Sequence, residues 1–318
     1  MGCTPVTVDA PTTVVNLGEK KARKLTSSRR PVWMEKPSAA TQGVKGLVLL
    51  LICIAVIYPF MIVIGTSLST QEEIARNNGF VLFPAEPTLA AYQTIFAGGI
   101  VTEALLRSVG ITLVGTALSV TLTVLMAYGL SRRGLLGGGF FLMTALLTML
   151  FTPGIIPTFL VVKELGMLDT YAALILPTAL SAFNLVIVRS FMMGIPSELT
   201  EAARLDGAGD LRILWHVVLP LSKAVIAVVG LFYAVGYWNA FFNAMLYVDS
   251  DKWPLAMVLR QYVLLGSSID QSAAAEIAAP SQAIQMAVIV ISIVPILCVY
   301  PFLQKYFTKG VLTGAIKG

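Results

Sequence analysis

Residue types that carry out covalent or metal chemistry are scarce in this chain. It has one histidine, His216, and three scattered cysteines, Cys3, Cys53 and Cys298. That is too few for a zinc site or a disulfide framework. Cys53 and Cys298 lie inside apolar runs and read as small buried hydrophobes. Met1-Gly2-Cys3 invites an acylated terminus, but Val6 stands where the myristoylation pattern needs Ser or Thr, and no apolar signal region precedes Cys3. No Gly-rich loop followed by Lys-Ser/Thr is present to cradle a nucleotide phosphate.

The densest polar patterning runs from Ile195 to Pro220. Ser197 is a good N-cap, with Glu198 and Glu201 placed in the first turn, where the helix dipole favours anions. Leu199, Ala202, Ala203 and Asp206 follow at i, i+3 and i+4 spacing and share a narrow face. Gly207 can end this helix, and Asp210 can cap the next, which leads to Leu219-Pro220. A short helix with a small-residue face, then a turn, is shaped to dock into another protein's groove. For Glu201 two roles stand open, pairing with a basic residue of a partner or stabilising the helix amino terminus. Any side chain at Gly207 is expected to change the turn.

A second polar group lies inside an apolar run, Gly236-Tyr237-Trp238-Asn239-Ala240-Phe241-Phe242-Asn243. On one continuous helix Asn239 and Asn243 share a face, among aromatics. Polar residues inside an apolar run usually face a cavity or a neighbouring helix, so Tyr237, Trp238, Asn239, Asn243 and Asn184 are candidates for a solute path. The alternative is that the asparagines bond across a helix interface. Pro153 and Pro157 should kink the helix that contains them. Gly115 and Ser119 have the small-xxx-small spacing of close helix packing.

The elements that must position these residues are set by hydropathy. The 318 residues are 57% hydrophobic and only 12% charged, with mean hydropathy +0.82. Soluble domains run near 25% charged, so an ordinary soluble enzyme is excluded. Six apolar runs, Gly46–Ser69, Leu105–Leu130, Phe140–Val162, Tyr171–Met193, Ala224–Val248 and Ala283–Phe302, are each long enough to cross a ~30 Å hydrocarbon core as a helix. They lack the period-two alternation of barrel strands, so the expectation is an all-α integral membrane protein with six transmembrane helices. Residues 1–45 are basic, rich in Pro, Thr and Ser, and expected to lack fixed structure. The membrane domain is expected over 46–303, with the polar loop at 194–222 and a tail at 304–318.

The net charge of +5 could signal nucleic acid only if the basic residues formed a stripe. Instead 17 of the 22 Lys and Arg fall in the amino-terminal segment, the second-to-third turn, the fourth-to-fifth loop and the tail. Arg76, Arg107, Lys163, Lys252 and Arg260 fall on the other side. By the positive-inside rule both termini are cytoplasmic, as an even number of spans requires. No nucleic-acid partner is expected; the lipid bilayer is.

Glu201-Ala202-Ala203, three residues, Gly207, nine residues, Val217, one residue and Leu219-Pro220 resemble the EAA motif of ABC importer permeases. Val217 stands where that family usually has Ile, and Gly129 where some members have Pro. The resemblance extends over roughly Leu47 to Gly318. Leu82-Phe83-Pro84, Pro153-Gly154-Ile155-Ile156-Pro157 and the terminal Thr313-Gly-Ala-Ile-Lys-Gly318 are similar to permeases for oligosaccharides and polysaccharides.

The resemblance implies the type I ABC importer permease architecture in a bacterial cytoplasmic (inner) membrane. It implies a second, different permease subunit, two ATP-binding cassette subunits, an extracytoplasmic solute-binding protein and a carbohydrate substrate. ATP-Mg would be bound by the ATPase partners, and no cofactor by this chain. Glu201, Ala202, Ala203, Asp206, Gly207, Leu219 and Pro220 would couple the pore to the ATPases. An ion-gradient-driven secondary transporter would need ionisable residues deep in the spans or broken helices in two repeated halves, and neither is evident. A membrane enzyme would need a catalytic constellation near one interface, which the single histidine does not supply.

Overall fold

The computed structural model describes residues 39–97, 99–132, 134–151, 153–264 and 282–315. Most of the amino-terminal segment, Arg133 and the last three residues of the tail lie outside the described residues. The chain divides into two compact units, Met1–Ile54 and Ala55–Gly318. The first contributes the opening turns of helix α1 (Ala39–Ser67), exposed from residue 40 onward. This helix starts seven residues before the expected boundary, because Ala39-Ala40-Thr41-Gln42 contains nothing that stops a helix.

The second unit is helical wherever it is regular, with no strand among the described residues. After α1 come two short helices, α2 (Gln71–Arg76) and α3 (Ala90–Ala97). Thr70 caps α2, its Oγ1 accepting from the Glu73 amide, and Thr88 Oγ1 accepts from the Ala90 amide. The uninterrupted α4 (Ile100–Ser131) is followed by α5 (Gly138–Leu150), α6 (Ile155–Glu164), α7 (Tyr171–Ile175) with a 3-10 turn, and α8 (Ala182–Met193). The loop region holds α9 (Ser197–Leu205), α10 (Asp210–Ile213), a π-helical turn (Leu214–Val218) and α11 (Leu219–Leu221). The chain ends with α12 (Lys223–Trp238), α13 (Phe241–Tyr247), α14 (Leu255–Leu264) and α15 (Gln282–Ala315).

The six-span expectation is met only in part. Three helices, Ala40–Ser67, Ile100–Ser131 and Gln282–Pro301, are long and apolar enough to cross a membrane, and up to five if each of two bent pairs is one span. The expected third span is split into α5 and α6 around Pro153-Gly154, with Gly154 at φ +85°. Pro153 therefore lies in a break, not in a kinked helix. Pro157 sits in the first turn of α6, where a missing N–H costs no helical bond. The expected fourth span bends by 51° between Tyr171–Thr178 and Ala182–Met193. Pro177 lacks the donor that would carry α7 onward. In the expected fifth span α12 stops at Trp238. The last helix runs on to Ala315, past the expected boundary at 303, with Pro295 and Pro301 inside it.

Breaks inside an apolar layer leave backbone groups unsatisfied, which is costly without partners. Here tyrosines supply them. Tyr233 and Tyr237 lie one turn apart on α12 and meet Thr123 and Ser119, one turn apart on α4, at 2.7 and 2.8 Å. Tyr237 Oη also donates to the Ile175 carbonyl at 3.2 Å, and Tyr233 Oη accepts the Ser181 amide at 3.0 Å. These two backbone groups flank the break between α7 and α8. Gly115 makes the approach of α12 to α4 feasible, since a Cβ there would stand 2.8 Å from the Tyr237 ring.

Two apolar clusters result. One joins α4, α8, α12 and the 213–218 segment through Val124, Leu185, Val188, Leu214 and Val229. The other joins α2, α3, the start of α4, α14 and α15 through Ile74, Ile95, Ala104, Leu255 and Val288.

Beyond α13, Asp169 locks two loops together. Its amide donates to the Tyr247 carbonyl, its Oδ1 accepts the Asp249 amide, and Lys252 Nζ pairs with its Oδ2. The hydrogen bond from Lys252, aided by the Asp249 amide, holds the Asp169 carboxyl below the ordinary carboxylate range. Asp169 raises Lys252 in turn. A depressed carboxyl stabilises the fold above its unfolded-state pKa, and that contribution is lost as pH falls through the folded value. The thermal midpoint of the solubilised protein should therefore drop on acidification through this window, and Asp169→Asn should lack that part of the acid dependence. An unchanged acid limb in the variant would assign it to other carboxylates.

Candidate functional site

The 194–222 segment folds much as its sequence suggests, with two corrections at helix starts. The residue before α9 is Pro196, with no side-chain cap, so Ser197 is the first helical residue and only Glu198 lies in the first turn. Likewise Gly209 precedes α10, and Asp210 is its first residue. The end of α9 is a complete Schellman motif. The Ala208 amide donates to the Ala203 carbonyl at 2.9 Å and the Gly207 amide to Arg204 at 3.0 Å. Gly207 takes φ +79°, the left-handed region that glycine enters without strain.

This turn sorts the segment into two faces. Ala203, Ala208, Val217 and Leu219 pack against the buried Ile213, Leu214 and Val218. On the other side Leu199, Leu205, Leu211 and Trp215 are exposed, Leu205 at 90%. Glu201, Ala202, Asp206 and Pro220 are exposed as well. Glu201 makes no ion pair among the described residues; it lines a cavity of about 480 Å³ together with Glu198, Arg204, Arg132 and Tyr128. The small-residue face is thus divided, with Ala203 turned inward and Ala202 outward.

Beyond α10 the backbone widens into the π-helical turn, where the Leu219 amide reaches back five residues to the Leu214 carbonyl. Pro220, with no N–H to give to the His216 carbonyl, favours this register change. The segment Asp210–Leu221 then turns 84° into α12. His216 Nδ1 lies 3.1 Å from the Arg212 carbonyl on an exposed side, consistent with a local backbone contact.

Charge binds the segment to the end of α4. The Asp210 carboxylate meets Arg132 at 3.1 Å and Arg204 at 3.2 Å, and the Asp210 carbonyl accepts from Tyr128 Oη at 2.9 Å. The Arg132 guanidinium lies 4.3 Å from the Tyr128 ring centroid. Burial pulls Arg132 below its ordinary value, and Asp210 opposes that shift. Arg189 donates to the Leu130 carbonyl at 3.0 Å, which ties α8 to α4. Nothing in the local sequence around Arg132 or Arg189 reveals a partner 78 or 59 residues away.

The candidate solute-path residues fall on three helices, α8, α12 and α13, with Asn239 at the end of α12. Asn239 leaves the helix at φ −94°, ψ 7°, and its side-chain amide folds back on the Val235 carbonyl at 2.9 Å. Asn243 belongs to α13, so the two asparagines do not share one continuous helix face. An asparagine side chain that competes for backbone carbonyls favours such a helix end. Tyr237 is buried with its hydroxyl engaged on Ser119 and Ile175, and Trp238 donates from Nε1 to the Ser292 carbonyl at 3.1 Å. Asn184 is buried, 5% exposed, in the first turn of α8, where its amide donates to the Ser181 Oγ cap. Tyr237 and Trp238 thus place their polar tips between helices. The i, i+4 spacing of Ser119 with Thr123 and of Tyr233 with Tyr237 was the available signal for this ladder.

With the geometry described, known proteins give a context. A family model for the binding-protein-dependent transport system inner membrane component matches residues 119–313. The chain is 49% identical over 275 residues to the polygalacturonan/rhamnogalacturonan transport system permease protein YtcP of Bacillus subtilis, covering 85% of this chain and 96% of that protein. It is 48% identical over 269 residues to protein LplC of the same organism, covering 82% and 90%. Among solved structures it resembles a bacterial ABC transporter involved in the import of the acidic polysaccharide alginate. There the TM-score is 0.78 at 31% identity, over 86% of this chain and 100% of that one.

Proposed function

The chain belongs to the binding-protein-dependent transport system inner membrane component family, and from that premise we propose that it is the permease subunit of an ATP-driven importer of a carbohydrate oligomer. It forms half of a pore with a second, different permease subunit. An extracytoplasmic binding protein delivers the solute, and two ATPase subunits bind ATP-Mg and do the hydrolysis. Both termini and the 194–222 segment face the cytoplasm, following the charge distribution. The names of the relatives support the substrate class.

The observation that carries the coupling role is α9 itself. Its end is fixed by the Schellman turn, one side is anchored to the apolar cluster, and Leu199, Leu205, Leu211 and Trp215 remain exposed beside Glu201. An exposed apolar patch with a charged rim fits a protein partner's groove. When the ATPases close on ATP, a helix seated there is carried with them, and its anchored side passes the movement to the spans.

The test is reconstitution of the chain with its second permease, ATPase subunits and binding protein in liposomes, with uptake of labelled oligosaccharides followed. Uptake should need ATP and the binding protein and should survive collapse of the proton gradient. Uptake that follows the gradient without ATP would instead make this a secondary transporter.

A further inference from the structure

We propose that Asp210 is the joint through which movement of the coupling helix α9 reaches α4, and that Arg132 is the positioning residue that holds that joint. This rests on the coupling role given to α9 above. Three features meet at Asp210 from different parts of the chain. Arg204, on the last turn of α9, contacts the carboxylate at 3.2 Å; Arg132, just past the end of α4, contacts the same oxygen at 3.1 Å; and Tyr128, inside α4, donates to the Asp210 carbonyl at 2.9 Å. The guanidinium of Arg132 lies over the Tyr128 ring, so the α4 side of the joint is a preformed unit.

The chain links α9 covalently back to α8 through Gly194-Ile195-Pro196 and forward to α12 through Gly207, α10 and the π-helical turn. The Asp210 contacts add a non-covalent path, which leaves the forward link at α10 and ends on α4. That helix packs against α8, α12 and α14, so a pull on its end is distributed through the membrane part of the unit. A cavity of about 480 Å³ lined by Tyr128, Arg132, Glu201 and Arg204 leaves room for α9 to shift against this end.

Stability does not explain the arrangement. Asp210 and Arg204 are more than half exposed, and ion pairs so placed add little to stability. Arg132 also carries a cost, because its Nε is buried without a hydrogen-bond partner among the described residues. A side chain that costs desolvation and returns little stability is better accounted for by the connection it makes.

The experiment compares Arg132→Gln, Arg132→Lys and Tyr128→Phe in the reconstituted complex, reading solute imported per ATP hydrolysed together with the thermal midpoint. Arg132→Gln is expected to lower that ratio about five- to tenfold, the low end of coupling between sites, with the midpoint little changed. Arg132→Lys, which keeps the charge and loses the fork, should recover part of the ratio, and Tyr128→Phe should fall between. An unchanged ratio in Arg132→Gln, or uptake and hydrolysis falling together with the midpoint, overturns the proposal. Gly207→Val serves as the control. If it uncouples while Arg132→Gln does not, only the joint fails; if neither uncouples, the coupling role of α9 fails.

Discussion

Gly207→Val should abolish solute uptake by the assembled importer while the chain still inserts and ATP is still hydrolysed, whereas Gly207→Asn should keep a substantial part of it. The reason is conformational. A Cβ at position 207 would meet nothing within 4 Å, so no clash opposes a side chain. What opposes it is φ +79°, which costs an L-residue about 1–2 kcal/mol and a β-branched one more. Asparagine and aspartate enter that region more readily than other residues. With valine the Schellman bonds from Ala208 to Ala203 and from Gly207 to Arg204 are lost, and the exposed face carrying Leu199 and Leu205 no longer points where Asp210 and the π-helical turn require. The order wild type, Asn, Val in uptake at equal membrane level is the readout. Equal loss with Asn and Val would mean that bare surface for a partner, not backbone geometry, is what the glycine supplies.

Gly115→Val should strongly destabilise the membrane part of the chain. Its Cβ would approach the Tyr237 ring to 2.8–3.0 Å, and that ring cannot withdraw while its hydroxyl holds Ser119 and the Ile175 carbonyl. Overpacking of this kind costs about 1–3 kcal/mol for the first added carbon and rises with a branched chain. The loss of the hydroxyl contacts adds to it. Tyr237→Phe alone should cost about 0.6–2 kcal/mol, as interhelical hydrogen bonds in membranes do. The thermal midpoint in detergent measures both. Because the two residues touch, Gly115→Ala with Tyr237→Leu should be less destabilised than the sum of the two single changes. Strict additivity would show that the α4–α12 contact is not where the damage arises.

Much of the 194–222 segment was legible in the sequence because its decisive bonds are local. Gly207 as a helix end follows from residue type and from acceptors three and five residues back, and the apolar runs announce a helical membrane protein through length alone. The starts of α9 and α10 were misplaced by one residue. There Pro196 and Gly209 provide the turn into the helix, so no side-chain cap is needed.

Of the interruptions in the third, fourth and fifth apolar runs, only a kink at Pro153 and Pro157 in the third was legible. Hydropathy measures transfer to lipid, and Phe151, Leu176 or Ala240 is apolar whether helical or not. What makes a break tolerable is a partner for the freed backbone, and for the fourth run those partners are Tyr233 and Tyr237, 52 and 62 residues from the groups they satisfy. The same distance in sequence hid the partners of two solute-path candidates. The polar tips of Tyr237 and Trp238 close on α4, α7 and α15.

By itself, then, the sequence determined the solvent of the chain and the turn that ends α9, since both depend on composition and on bonds within one helical turn or so. Only the tertiary structure decided where the helices stop, which polar residues cross-link them, and that Asp210 joins Arg204 to Arg132 over 78 residues of chain. Those choices depend on packing that brings distant side chains within about 3 Å, the reach of a hydrogen bond.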